Sequence, residues 1–300
     1  MKQIYVIGGA VIDIFLHPYH RMVLHDSNPG YVHESLGGVA RNIAENLARL
    51  GFQCTLLTAL GNDTYGTLIR QSAAAIGLTL DVITTERTPA YYSVIDENQD
   101  DLIGVAVMDQ LSSIDSNILL SRKIDIQKAD LVIMDTNLSE SAMETVLNLA
   151  KAPVVVDAIS TQKAMKIRSM LPRIWGLKVN QLEAETLSGY RIKTPEDLIK
   201  VGAFFQEKGL QHTWITLGKE GAYHFQQTTW DYQKGRTVQV INPTGAGDAF
   251  LSGAIFAYFH GLPILHTATT NAGLNLQCEE AVCQRLTKSI LLNAMKEDFL

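Results

Sequence analysis

The segment Asn242-Pro243-Thr244-Gly245-Ala246-Gly247-Asp248 is the most informative stretch of this 300-residue chain. A β-prone run over residues 237–241 leads into it. A strongly apolar helical run follows, with Ala249, Phe250, Leu251, Ile255, Phe256 and Phe259. Gly-Ala-Gly at a helix start leaves main-chain N–H groups uncovered, and these, with the helix dipole, suit an anion. Asp248 then places a carboxylate at the mouth of the anion site. That is electrostatically awkward for a phosphate unless the carboxylate takes a proton from an attacking hydroxyl. The plainer alternative is a tight turn made by two glycines, with Asp248 capping the helix.

Two other phosphate signatures are absent. No Gly-x-x-x-x-Gly-Lys-Ser/Thr occurs, which excludes a Walker-type site. Phe250 stands where a dinucleotide fingerprint needs a third small residue, which argues against a nicotinamide enzyme.

Outward from this segment, strands and helices alternate. Apolar strand-like runs lie at 4–8, 54–59, 131–134, 154–156, 214–217 and 237–241. Helical patterns lie at 38–50, 65–76, 140–150, 182–187 and 195–208. Alternation of strands buried on both faces with helices predicts a mostly parallel sheet covered by helices. Residues 90–95 and 102–107 instead read as a hairpin with a polar turn at 96–101. They are assigned to a separate small sheet, together with the loop-rich segment after Asp13. Such a sheet over the C-terminal ends of parallel strands makes a ligand cleft.

A formal charge of −6 with no dense Lys/Arg run excludes a nucleic-acid polymer or an anionic membrane as the main partner. No run of eighteen apolar residues occurs, so no membrane span is expected. Lys2 with the apolar stretch at 4–12 faintly resembles a signal peptide. Asp13 interrupts it and no Ala-x-Ala follows, so a buried first strand is the better reading. Cys54, Cys278 and Cys283 make no disulfide framework, and Cys278 and Cys283 are expected as packed or surface thiols in a reducing, cytoplasmic setting.

The Gly-Ala-Gly-Asp segment resembles the C-terminal signature of the PfkB (ribokinase-like) carbohydrate kinases. Gly37-Gly38-Val39-Ala40-Arg41-Asn42-Ile43-Ala44 resembles their N-terminal signature. The two stand in family order and span nearly the whole chain. The resemblance implies one ribokinase-like domain over 1–300: a three-layer α/β/α fold with a mostly parallel central sheet. A small β-sheet lid is expected from about 14–36 and 87–108. It also implies ATP-dependent phosphorylation of a sugar or nucleoside with Mg²⁺. Asp26-Ser27-Asn28-Pro29-Gly30, the run Asn180-Gln181-Leu182-Glu183-Ala184-Glu185-Thr186-Leu187-Ser188-Gly189, and Asn242 itself are most similar to members that act on the 5′-hydroxyl of pseudouridine. Ribose, fructose, adenosine or uridine as acceptor, and a non-catalytic nucleoside-binding homologue, are the alternatives.

Residue by residue, the resemblance makes Asp248 the catalytic base, and the Gly245, Ala246 and Gly247 amides an anion hole. Asp13, Gly37, Gly38, Asn42 and Asn137 are assigned to the acceptor, with Asp157 and Lys163 as weaker candidates. Asn180, Thr216, Gly218, Gly221 and Asn271 are assigned to ATP. Glu183 is assigned to Mg²⁺ through water, although Asn180 and Glu183 equally make a helix capping box. Asn242 and Thr244 stand where the family holds a monovalent cation, potassium, but the wider family more often has Asp at position 242. His17, His20, His25 and His33 cluster in the lid, where surface or base-contacting roles outweigh metal binding. Either Tyr91 or Tyr92 can face a base, since neighbours on a strand point oppositely. The exposed lid implies a homodimer through it.

Overall fold

The computed structural model describes residues 1–96 and 101–297, and their strands fall into two separate sheets. The large sheet contains β1 (Gln3–Ile7), β4 (Gln53–Gly61), β5 (Thr79–Thr85), β8 (Leu131–Asp135), β9 (Val154–Asp157) and β10 (Gly176–Asn180). It also holds β11 (His212–Thr216), β12 (Ala222–Gln226) and β13 (Thr229–Gln233). Its order is β13-β12-β11-β10-β9-β8-β1-β4-β5. From β11 to β5 every neighbouring pair is parallel, while β12 and β13 add an antiparallel edge.

Alternate side chains of the central strands enter two different cores. Tyr5, Ile7, Val132, Met134 and Val156 pack on one face with the helices Glu140–Leu149 and Pro195–Glu207. Ile4, Val6, Leu131, Ile133 and Val155 pack on the other with Val39–Arg49 and Ala246–His260. Apolar residues at both parities explain why these strands read as continuous hydrophobic runs. The result is the expected three-layer ribokinase-like α/β architecture with a second, smaller sheet.

That smaller sheet consists of β2 (Val11–Pro18), β3 (Gly30–Gly37), β6 (Ala90–Ile95) and β7 (Asp101–Val107), in the order β3-β2-β6-β7. β2 pairs antiparallel with β3 and parallel with β6, and β6 pairs antiparallel with β7. The expected hairpin is therefore present. Part of the expected turn at 96–101 lies outside the described residues.

Two expectations need correction. Residues 237–241 form no strand: they cross the rim of a cavity, with Val240 and Ile241 more than half exposed and the Ile241 N–H bonded to the Leu276 carbonyl. A β-prone composition does not make a strand where no neighbouring strand offers a ladder. Cys278 and Cys283 are not separate thiols but are joined in a disulfide. The chain turns back after the helix Ile264–Leu276, bringing their Cα atoms to 5.3 Å, within the reach of such a bridge. Cys54 is a free, buried thiol. Among the described residues no helix is long and apolar enough to cross a membrane.

Candidate active site

Parallel strands deliver their polar residues to one edge of the sheet. β8 ends at Asp135, β9 at Asp157, β10 at Asn180 and β11 at Thr216. Above this edge begins the helix Ala246–His260, with Asp248 in its first turn and only 6% exposed. Its N-cap is Gly245 at φ 76°, which contributes no capping side chain. A Cβ at Gly245 would lie 1.9 Å from the Ala281 carbonyl oxygen, so only glycine fits this start. The first-turn amides are thus left for another acceptor. The Ala246 N–H makes one loose contact of 3.4 Å, to the Pro243 carbonyl.

Burial, and then the charge of Asp157, push the Asp248 carboxyl up to about 7. Lys178 and a hydrogen bond from Asn42 Nδ2 to Asp248 Oδ2, at 2.8 Å, act in the opposite direction. Asp248 therefore titrates near neutrality, where a general base is most useful.

Lys178 was not singled out from the sequence. Its signal is a lysine inside the otherwise apolar strand Gly176–Asn180. Its Nζ lies 3.1 Å from Asp157 Oδ2, and a Cβ on Gly247 would sit 2.8 Å from it, so a buried cation underlies the glycine turn. Burial lowers its pKa, but Asp157, Asp248 and Glu183 outweigh burial and raise it overall.

Asp13 lies in β2, opposite Ser35 of β3 and Tyr91 of β6, and shares the buried Arg41 with Asp248 as an electrostatic neighbour. Its carboxylate packs so closely on Gly37 that a Cβ there would lie 2.0 Å from Oδ2. Burial pushes Asp13 up to about 6, with Arg41 opposing. Tyr91 shares the Asp13 face of the small sheet, while Tyr92 is on the opposite face and 39% exposed. Asn42 touches Asp248 directly, whereas Asn137 belongs to a group around Asp135. The fully buried Asp135 accepts from the Gly9, Ala40 and Asn137 N–H groups, and so joins the loop after β1 to the Gly38–Ala40 turn. Lys163 Nζ donates to Asn137 Oδ1 at 2.6 Å. Among the lid histidines, His17 stacks on Tyr31 and His33 on Phe15. No group of three or more metal-ligating side chains occurs among the described residues.

A cavity of about 710 Å³ opens beyond the glycine turn. Thr216, Gly218 and Gly221 line it together with Ala246, Gly247 and Phe250, so the candidate nucleotide residues meet the candidate anion hole in one space. Asn271 does not line it. That side chain is buried between helices and donates to the Ala249 carbonyl at 2.7 Å, while its neighbours Ala272 and Gly273 face the cavity. Asn180 and Glu183 form a complete capping box. Nearby, the buried Asp157 Oδ2 is paired with the Lys178 ammonium at 3.1 Å. Two carboxylates, Asp157 and Glu183, around one ammonium fit a hydrated Mg²⁺, which needs one or two carboxylates and keeps several waters. The Asn242–Thr244 pair fits a cation less well. Asn242 Nδ2 donates to the Glu279 carbonyl at 2.6 Å and its Oδ1 accepts from the Thr244 N–H at 2.8 Å, so the amide is engaged at both ends and carries no charge.

Comparison with known proteins agrees with the fold. The model of the pfkB family carbohydrate kinases matches residues 1–280. Pseudouridine kinase of Escherichia coli (strain K12) is 35% identical, over 91% of this chain and 90% of its own length. A carbohydrate kinase from Agrobacterium tumefaciens superposes with a TM-score of 0.85 at 28% identity, covering 99% of this chain and 97% of the other. Arabidopsis thaliana ribokinase, complexed with ribose and ATP, has a TM-score of 0.85 at 20% identity, covers 98% of each chain, and attests the fold alone.

Proposed function

This chain belongs to the pfkB family of carbohydrate kinases, ATP-dependent enzymes, and from that premise we propose that it transfers the γ-phosphoryl of ATP to the 5′-hydroxyl of a nucleoside, pseudouridine first. The observation that carries the reading is the setting of Asp248. It is a buried carboxylate tuned to about 7, between an uncapped glycine turn that opens on a large cavity and the Asp13–Gly37 pair. The E. coli pseudouridine kinase, similar over nine-tenths of both chains, supports the choice of acceptor.

In this reading Asp13 accepts hydrogen bonds from the ribosyl hydroxyls. Gly37 and Gly38 bring the main chain against the sugar, and Asn42 and Asn137 flank it. Asp248 removes the proton of the 5′-hydroxyl as its oxygen bonds to the γ-phosphorus. The bond from that phosphorus to the bridging oxygen breaks, and ADP leaves. Alignment and charge stabilisation supply most of the acceleration in such transfers. The Gly245, Ala246 and Gly247 amides and Lys178 supply the positive field. Thr216, Gly218, Gly221 and Asn180 hold the nucleotide, with Asn271 acting only by supporting the cavity wall. Glu183, with Asp157, would hold Mg²⁺ through water, and the metal neutralises phosphate charge when bound. The small sheet closes as a lid over the nucleoside and excludes water, the competing acceptor.

The test is a panel of pseudouridine, uridine, adenosine, ribose and fructose with ATP–Mg, read as ADP release. The expected outcome is the highest kcat/KM for pseudouridine. Preference for a free sugar removes the substrate assignment but keeps the kinase. No ADP release with any acceptor removes the catalytic reading in favour of a nucleoside-binding homologue.

A further inference from the structure

The helix Val39–Arg49 carries a buried charge chain to which the proposed reaction assigns no task. Arg41 is 4% exposed, and its donors are spent on four partners. Nε donates to the Gly37 carbonyl at 2.9 Å. Nη2 donates to the Leu36 carbonyl and to Asn42 Oδ1, both at 2.6 Å. Nη1 pairs with Glu45, which is itself held by Arg49 at 2.9 Å. Leu36 and Gly37 are the last residues of β3, so Arg41 grips the end of the small sheet. The same guanidinium fixes which way the Asn42 amide points. Arginine has only donors, so the amide oxygen must face it, and the amide nitrogen is turned onto Asp248 Oδ2 at 2.8 Å.

We propose that Arg41 is a positioning residue that couples the small sheet to the general base: with the end of β3 seated, it holds Asn42 in the orientation that aims Asp248 at the acceptor hydroxyl. This rests on the kinase reading above and deepens it. A guanidinium does this because its planar fork serves several acceptors at fixed angles, which an ammonium cannot match. Arg41 does not line the nucleotide cavity, and its hydrogen bonds run to Asn42 and the Leu36–Gly37 main chain, which carry its influence.

The experiment is a kinetic cycle on the full chain with Arg41→Lys, Asn42→Ala and the double variant, all assayed with ATP–Mg and the best acceptor. Arg41→Lys is expected to lower kcat about tenfold or more, because small misplacements of reacting groups are costly, while KM for ATP changes less than about twofold. In the Asn42→Ala background the same replacement should cost little further kcat, since the two act in series. Glu45→Gln, which loosens the grip on Arg41 without removing it, should give the same pattern at smaller size and serves if Arg41→Lys fails to fold. An equal kcat loss with and without Asn42, or a loss confined to KM for ATP, overturns the proposal while leaving the kinase standing. A wild-type chain inactive on every acceptor overturns both.

Discussion

Asp248, the proposed base, is a buried side chain whose ionisation costs folding free energy. Its folded-state pKa of about 7 lies above the ordinary 3.8, so the folded chain binds more protons between those values. The destabilisation is absent below about pH 4, grows as pH rises towards 7, and is complete above it. Asp248→Asn should lower kcat by roughly 10²–10⁴-fold, the range of a positioned base. The same variant should melt a few degrees above wild type at pH 8, as expected for about 1–2 kcal/mol, with the gap closing as pH falls to 4. In the wild type, kcat/KM should fall as pH drops through about 7, read from a pH–rate profile of the free enzyme. An acid limb near 4 would mean that the base titrates at the ordinary carboxylate value of 3.8 and that burial does not tune it in the working enzyme. Asn242 makes a second prediction at this scale. Its amide is neutral and engaged at both ends, so replacing K⁺ with tetramethylammonium should change kcat by less than about twofold, because a neutral amide offers little field to a bare cation. A strong K⁺ requirement would show that the loop rearranges.

Elements matter here chiefly through what their ends expose. The β11–β12 ladder carries a buried diagonal pair, with His212 Nδ1 2.9 Å from His224 Nε2 and both rings stacked against Trp214. One ring must donate and the other accept, so the bond cannot survive protonation of both rings, and burial opposes the first proton as well. Burial depresses His212 to about 4 and, with the neighbouring ring, His224 to about 3. Both lie below the unfolded value of 6.5, so the stability they confer is full above pH 6.5 and is lost as pH falls towards 4. Thermal melts should show this decline, and His212→Phe/His224→Phe should flatten it. An unchanged slope in the double variant would place the acid sensitivity elsewhere. The pair lies away from Asp248, so the loss belongs to stability and not to turnover.

The whole molecule presents one face that a single chain leaves uncovered. Opposed positions of the small sheet put Leu16, Val32, Tyr92, Ile103 and Val105 on the side away from Asp13, and Val32, Ile103 and Val105 are more than half exposed. An apolar sheet face with free edges at β3 and β7 invites another sheet. We expect a homodimer through it, seen as a two-chain species in sedimentation. Val32→Asp/Val105→Asp should give a folded monomer with a raised KM for the nucleoside. A monomeric wild type would remove the dimer without touching the chemistry.

The local signals held wherever the physics was local. Gly-Ala-Gly-Asp, Gly37-Gly38 and the apolar runs announced a glycine-led helix start without a side-chain cap, a close approach of main chain to Asp13 and a sheet buried on both faces, because glycine conformation and hydrophobic periodicity are properties of short segments. Residues 237–241 misled for the same reason: strand propensity was present and a partner strand was not. What composition could not reveal was convergence. Lys178 beneath Gly247, Arg41 turning Asn42 onto Asp248, Asp135 joining three loops and the Cys278–Cys283 bridge all unite residues whose meeting depends on how the chain crosses and returns. The sequence determined which groups are available and the layered fold that carries them. Only the tertiary structure decided which charges are buried together, and burial beside the like charge of Asp157, opposed by Lys178, is what sets the proton affinity of Asp248.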